Sequence, residues 1–360
     1  MKLTSVIGIA LLALVMGLVF GTAVERSRKP SEGGTGADSK AQRHYAMNVA
    51  ISSLPFWNEP KYTWETIGKT TPGVRTDFGG PDSSDPPKQV EQVEALLSQD
   101  INGMVVFSTD ANALVSTIDK AVEKGISVVT VFADVPKSKR LAYVGANQVE
   151  SAKAVARQAM QEFPERVKPT SKVLIVVGKV GAEDQDDRRK GFETEVGNTM
   201  RVVKPVVDDY KPNKAAEVIR AALVRDPGIQ FIFGCNSQSA VGAISALKEL
   251  GKKPGDVVVT GWDSEAVVVD EIKASHGGVG WVYATSVLYS SYMVQTAFSL
   301  LEADHFGYLY PQSTGLGSGA KIPSAPRTIA IPMRIVTAKN IDEFLSSQVV
   351  AKQKKGESAK

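Results

Sequence analysis

The sequence predicts an α/β protein of two doubly wound lobes with a cleft between them. Three observations carry that prediction. Apolar runs such as Met104–Phe107, Val128–Phe132 and Lys172–Val177 show no polar alternation, as strands covered on both faces of a parallel sheet require. Amphipathic stretches at helical spacing separate them. The alternation starts again near residue 150 with a second set of similar size, and at 360 residues the chain exceeds the roughly 250–300 at which one core gives way to two.

The chain opens with an apolar run, Ser5–Phe20, preceded by Lys2 and followed by Gly21-Thr22-Ala23. This is the layout of a secretory signal over 1–23, cleaved after Ala23. The alternative is an uncleaved membrane anchor: the run is short for a span of about 20 residues, yet Arg26, Arg28 and Lys29 are poor neighbours for a cleavage site. No cysteine lies here, which excludes a lipid-anchored start. Residues 24–43 read as a flexible tether, Gly- and Ser-rich.

The folded body begins near His44. Strands are expected at Tyr45–Ser52, Gly73–Phe78, Met104–Phe107, Val128–Phe132 and Leu141–Val144. Helices fall at Lys61–Lys69, around Val90, Val93, Leu96 and Leu97, and over Leu114, Ile118 and Val122, the last capped by Ser108-Thr109-Asp110 and stopped by Gly125. The second set comprises helices at Ser151–Gln161, Arg188–Glu195, Lys214–Leu223, Ala240–Leu250, Ala266–Lys273, Val287–Ala303 and Ile341–Gln348. Its strands are Lys172–Val177, Met200–Val207 (weakened by Pro205), Ile229–Phe233, Asp256–Thr260, Gly280–Tyr283 and Ile329–Val336. A Gly/Pro/Ser-rich loop covers Gly307–Pro326, and 350–360 is a Lys-rich tail.

Composition narrows the function. Of 42 basic and 39 acidic residues, four basic ones (Lys2, Arg26, Arg28, Lys29) and one acid (Glu25) lie within the first 29. The body is therefore neutral and has no broad basic field for nucleic acid. A single cysteine, Cys235, excludes an intramolecular disulfide and a cysteine-cluster zinc site, and the three histidines are isolated. No metal or cofactor is expected. Gly68-Lys69-Thr70 resembles the end of a P-loop, but Thr63 stands where that loop needs glycine, and no dinucleotide fingerprint follows the first strand. An enzyme is not expected.

Ligands of such sheets bind beyond the carboxyl ends of the strands. Seven stretches near those ends, SSLPFW (52–57), FSTDANAL (107–114), SVVTVFADVPKSKRLAYVGANQ (127–148), DDRRKGF (186–192), FGCNSQSAVGA (233–243), VVTGWDSEA (258–266) and MRIVTAKNIDEF (333–344), occur in an order and spacing that resembles the periplasmic sugar-binding proteins of ABC importers, of the ribose/galactose-binding type. The resemblance covers about Tyr45 to Leu345 and implies a type I periplasmic binding protein. That fold has two Rossmann-like lobes joined by three crossover strands, here near Gly145–Gln148, Thr285–Val287 and Ala325–Ile331. The lobes would be 44–146 plus 287–328 and 147–286 plus 329–349, closing on the ligand by hinge bending. The same fold serves repressors related to the lac repressor, but a helix-turn-helix is replaced here by the apolar segment and tether.

A sugar presents apolar C–H faces, suited to aromatic rings, and a rim of hydroxyls, suited to Asp, Asn and Arg. The resemblance accordingly points to Phe56 or Trp57 for stacking, and to Arg188, Asn236 and Asp263 for hydroxyls. Asn236 is otherwise an ordinary helix cap, and Arg188 a surface ion pair with Asp186 or Asp187. Asp110 is either a cap or a ligand group. The family's T-x-D-S-D-x-P pattern becomes Thr130-Val131-Phe132-Ala133-Asp134-Val135-Pro136, so Phe132 replaces an acid. Asp134 either reaches the ligand or bonds within the hinge beside Lys139 and Arg140. Ser286 stands nearest the family's crossover glutamine. Two departures, Phe132 and Ser286, imply an unusual ligand within the sugar and polyol class. The expected function is an exported, monomeric solute-binding protein delivering a small sugar or polyol to an ABC permease from the periplasm. The alternative is a receptor domain presenting its closed form to a membrane sensor or chemoreceptor.

Overall fold

The structure is a computed structural model that describes residues 43–275, 280–306 and 328–346. The signal segment, the tether up to residue 42, the loop at 307–326 and the Lys-rich tail lie outside the described residues.

Strands β1 (Arg43–Val49), β2 (Val74–Gly79), β3 (Gly103–Phe107), β4 (Ser127–Val131) and β5 (Ala142–Gly145) alternate with helices α1 (Asn58–Thr70), α2 (Pro86–Leu96) and α3 (Val115–Glu123). They form a parallel sheet in the order β2-β1-β3-β4-β5, closed at its far edge by β12 (Thr328–Ala330). The second sheet contains β6 (Lys172–Val177), β7 (Arg201–Val202), β8 (Val206–Val207), β9 (Ile229–Gly234), β10 (Val258–Trp262), β11 (Ala284–Val287) and β13 (Arg334–Thr337). Its order is β7-β6-β9-β10-β11-β13, with β8 also on β6 and only β13 antiparallel. Helices α4 (Gln148–Glu162), α5 (Glu183–Val196), α6 (Pro212–Arg225), α7 (Ser237–Glu249), α8 (Ala266–Ala274) and α9 (Ser290–His305) complete the set.

Each sheet buries an apolar cluster on both faces. Along β1, Tyr45, Met47 and Val49 join one cluster while Ala46 joins the other, the period of two that a pleated strand imposes. In β9, Phe231 and Phe233 face one side and Ile229 and Ile232 the other. The chain passes between the sheets three times. It leaves the first after β5, returns after β11 when α9 packs on β3, β4 and β5, and leaves again between β12 and β13. The two-lobed α/β architecture expected from the sequence is the one observed.

Four local expectations need correction. The strand expected over Met200–Val207 is two short strands on either side of Pro205, which has no N–H for the ladder. Ile329–Val336 is likewise two strands in different sheets, divided at Pro332. The strand expected at Gly280–Tyr283 lies at Ala284–Val287 instead; its Thr285 and Ser286 look polar in sequence but are fully buried. Finally, α3 begins only at Val115, after a turn that Asp110 caps by accepting from the N–H groups of Asn112 and Ala113 at 3.1 and 3.2 Å.

Candidate ligand site between the lobes

The strand ends of the first lobe carry an aromatic cluster. A single 3-10 turn, Pro55–Trp57, follows β1 and brings Phe56 and Trp57 beside Phe107 at the end of β3 and Phe132 after β4. The Phe132 centroid lies 5.2 Å from Phe56, 5.5 Å from Trp57 and 6.4 Å from Phe107, all edge-to-face. Trp57 and Phe132 are buried, whereas Phe56 remains half-buried.

The second lobe contributes polar groups. Arg188, in the second turn of α5, is buried, pairs with Asp184 at 3.1 Å and lies 4.4 Å over the Trp262 ring. Its Nε donates to Gln148 at 2.9 Å and an Nη to the Cys235 carbonyl at 2.8 Å. Asp208, fully buried after β8, accepts from Asn236 Nδ2, from Ser239 Oγ at 2.6 Å and from the Tyr210 N–H at 2.9 Å. Burial pushes its carboxyl above the usual carboxylate range, against those hydrogen bonds. Asn236 Oδ1 meanwhile caps α7 by accepting from the N–H groups of Gln238 and Ser239. Tyr210 packs on Ala50 and Ile51 of the first lobe, so the two walls touch.

Asp263 follows β10 at φ 66°, in the left-handed region. Its N–H donates to the Ser286 carbonyl at 2.6 Å and its carbonyl accepts from Thr285 Oγ1 at 2.5 Å, which fixes the backbone. Its carboxylate Oδ1 has no partner. Burial raises the carboxyl to about 7; Arg188 opposes this, and Glu265 and Asp184 add to it.

Buried polar groups almost always have partners, so clustered exceptions are informative. Among the described residues, Arg43 Nε, Gln92 Oε1 and Gln230 Oε1 lack hydrogen-bond partners at scattered positions. Trp57 Nε1, Glu183 Oε2, Asp184 Oδ1, Tyr210 OH, Trp262 Nε1, Asp263 Oδ1 and Ser286 Oγ lack them at strand ends or helix starts between the lobes. Two cavities open there. One, of about 170 Å³, is lined by Phe56 and Glu59 from one lobe, Asp263 and Glu265 from the other, and Leu288 from the second passage. The other, of about 270 Å³, lies beside the first and third passages, between Phe132 and Asp134 on one side and Glu183 and Asp184 on the other.

Of the residues the sequence singles out, Phe56, Trp57, Phe132, Arg188, Asn236, Asp263 and Ser286 come to this region. Asp110 lines neither cavity, and its carboxylate caps the turn before α3. Asp134 lines the second cavity, but its carboxylate is engaged by Arg140, by Thr130 Oγ1 at 2.8 Å and by the Val135 N–H at 2.7 Å. Sequence reading missed Gln148, Asp184, Asp208 and Tyr210 as site residues. Asp208 and Tyr210 follow a strand of only two residues, too short for any hydrophobic pattern to register. Asp184 sits in an acidic run that reads as a solvated helix face, yet it is buried.

A parallel sheet in each half, three passages and a site where the strand ends meet define a two-lobed binding protein. The periplasmic binding protein domain family matches residues 45–304, and the chain belongs to that family, one of binding proteins rather than enzymes. The ribose import binding protein of Bacillus subtilis is 24% identical over 249 residues, covering 69% of this chain and 79% of that protein. Among solved structures, a glucose-galactose binding protein from Geobacillus stearothermophilus superimposes with a TM-score of 0.72 at 18% identity, over 84% of this chain and 99% of that one. An ABC transporter solute-binding protein from Burkholderia graminis, in complex with D-arabinose, gives 0.73 at 21%, over 84% and 98%.

Proposed function

We propose that this chain is an exported solute-binding protein that takes a small sugar or polyol between lobes 44–146 plus 287–328 and 147–286 plus 329–349. Closure is by hinge bending at the three passages, and the closed form delivers its ligand to an ABC permease from the periplasm. The supporting observation is the group of unpartnered buried atoms around Asp263, Asp184, Tyr210 and Ser286, opposite a wall of aromatic rings. Hydroxyls satisfy such atoms; C–H faces suit the rings. The family membership and the sugar-binding names of its relatives support the ligand class. Phe56, Trp57, Phe132, Arg188, Asn236, Asp263 and Ser286 would form the contact set, with Asp134 shaping the hinge-side wall.

Thermal-shift screening of pentoses, hexoses and polyols tests the reading, because a ligand that binds only the folded state at 100 times its Kd stabilises it by about 2.7 kcal/mol. A shift that disappears in Asp263→Ala supports it. No shift with any member of the panel at millimolar concentration refutes it.

A further inference from the structure

The two walls of the cleft are built on one plan with opposite chemistry. After β4, Phe132 stands at φ 62°; after β10, Asp263 stands at φ 66°. The Phe132 N–H donates to the Val144 carbonyl at 3.2 Å and its carbonyl accepts from Tyr143 OH at 3.1 Å, both groups on β5. Asp263 makes the matching pair of bonds to Ser286 and Thr285 on β11. The same device therefore presents a carboxylate from one lobe and a benzyl ring from the other. The left-handed region admits Asp and Asn readily but is strained for a bulky residue, and such strain concentrates at functional sites. The Phe132 ring is thus held where a small polar side chain would sit with less strain.

The surroundings of Phe132 are likewise apolar, whereas Asn58 and Glu59 of the same lobe line the smaller cavity opposite Asp263. In the first lobe the unpartnered buried atom at the cleft is the indole Nε1 of Trp57, and Phe56, Phe107 and Phe132 offer no hydrogen bond at all. In the second lobe Asp184, Tyr210, Asp263 and Ser286 each keep an unpartnered oxygen. A hydroxyl set against the rings around Phe132 would be buried without a partner, which costs binding free energy.

Taking the binding of a small polyol as its basis, we propose that the ligand is two-edged. Its hydroxyls meet the second lobe, and an edge without hydroxyls, such as a deoxy position or an alkyl substituent, lies against Phe132. The class is deoxy sugars or alkyl-substituted polyols rather than fully hydroxylated pentoses and hexoses.

The test is isothermal titration calorimetry of the full chain with matched pairs: D-galactose against D-fucose, L-mannose against L-rhamnose, and free sugars against their methyl glycosides. The expected result is a pair whose deoxy or methyl member binds roughly 10–200-fold tighter, the range for one apolar group in a fitted pocket. Phe132→Asp, which the left-handed backbone tolerates, should reverse the preference within that pair. Should that variant not fold, Phe132→Leu keeps an apolar wall and should retain the preference at a reduced ratio. If the fully hydroxylated member binds as tightly or tighter in every pair that binds, the two-edged ligand is wrong while sugar capture stands. If no member of any pair binds, the reading of a polyol site fails and takes this inference with it.

Discussion

Asp263 sets the chemistry at the scale of single residues. Its carboxyl is raised to about 7 by burial, above the roughly 3.9 of an unfolded aspartate. The native state then holds the proton that the unfolded state has lost, so stability of the ligand-free protein falls as pH rises from about 4 to about 7 and is level above. Glu183, raised to about 7 by burial and by Asp134, Asp187 and Asp184, acts in the same direction. In the proposed site, ligand hydroxyls would donate to the ionised form of Asp263, so affinity moves the opposite way. It should weaken by up to about tenfold per pH unit below the titration point, measured by calorimetry between pH 8 and 5.5. Asp263→Asn should flatten that profile; an unaltered slope in the variant would transfer the effect to Glu183. Arg188 differs because it is also structural. Removing it as Arg188→Ala strands the buried Asp184 carboxylate and should destabilise by about 3–5 kcal/mol in urea melts. Asp263→Ala strands no partner side chain and should leave the urea midpoint unchanged or higher.

At the scale of elements, the helix pair α4 and α5 aims Arg188. A Cβ on Gly191 would stand 2.3 Å from the Val149 carbonyl oxygen, so only glycine lets α5 approach the first turn of α4. Arg188, one turn earlier, thereby reaches Gln148 in that same turn. Gly191→Ala should cost about 1–3 kcal/mol as overpacking and also weaken ligand affinity, since it moves the arginine as well as the helix. Retained affinity with reduced stability would separate packing from aiming. The spacing Arg188-x-x-Gly191-Phe192 was legible through its resemblance to the family's pattern, and the structure adds the close approach that Gly191 permits. Also legible were the apolar runs of β3, β4, β6 and β9, buried on both faces. Tertiary partners were legible only in part. Asp134 was readable either as a ligand residue or as a partner of Lys139 and Arg140, and the fold selects Arg140. Asn236 was readable as a cap, but its bond to Asp208 depends on a strand pairing across 28 residues. The buried hydroxyls of β11 hid a strand from any hydrophobic count.

At the scale of the whole molecule, the two lobes meet through contacts from Tyr210 and Gln148. Tyr210 packs against Ala50 and Ile51, with Leu54 and Phe107 beside them. Gln148, buried where the chain first leaves the first sheet, links both walls. Its Nε2 donates to the Phe132 carbonyl at 3.0 Å, while its Oε1 accepts from Arg188 Nε at 2.9 Å. One side chain thus ties the Phe132 backbone of one lobe to the arginine of the other. In the proposed hinge motion, parting the lobes would pull on these two bonds, and the glutamine would favour closure. Leucine has a similar volume and neither polar atom. In Gln148→Leu the Phe132 carbonyl keeps Tyr143 OH, whereas Arg188 Nε loses its acceptor. A hydrogen bond to a charged group contributes about 1.5–3 kcal/mol, and part of that should appear as lost affinity of about tenfold. Small-angle scattering should show wild-type protein contracting on saturation with ligand, and the variant contracting less at equal saturation. Equal contraction with equal affinity would mean that Gln148 only fills space, and that closure is governed elsewhere.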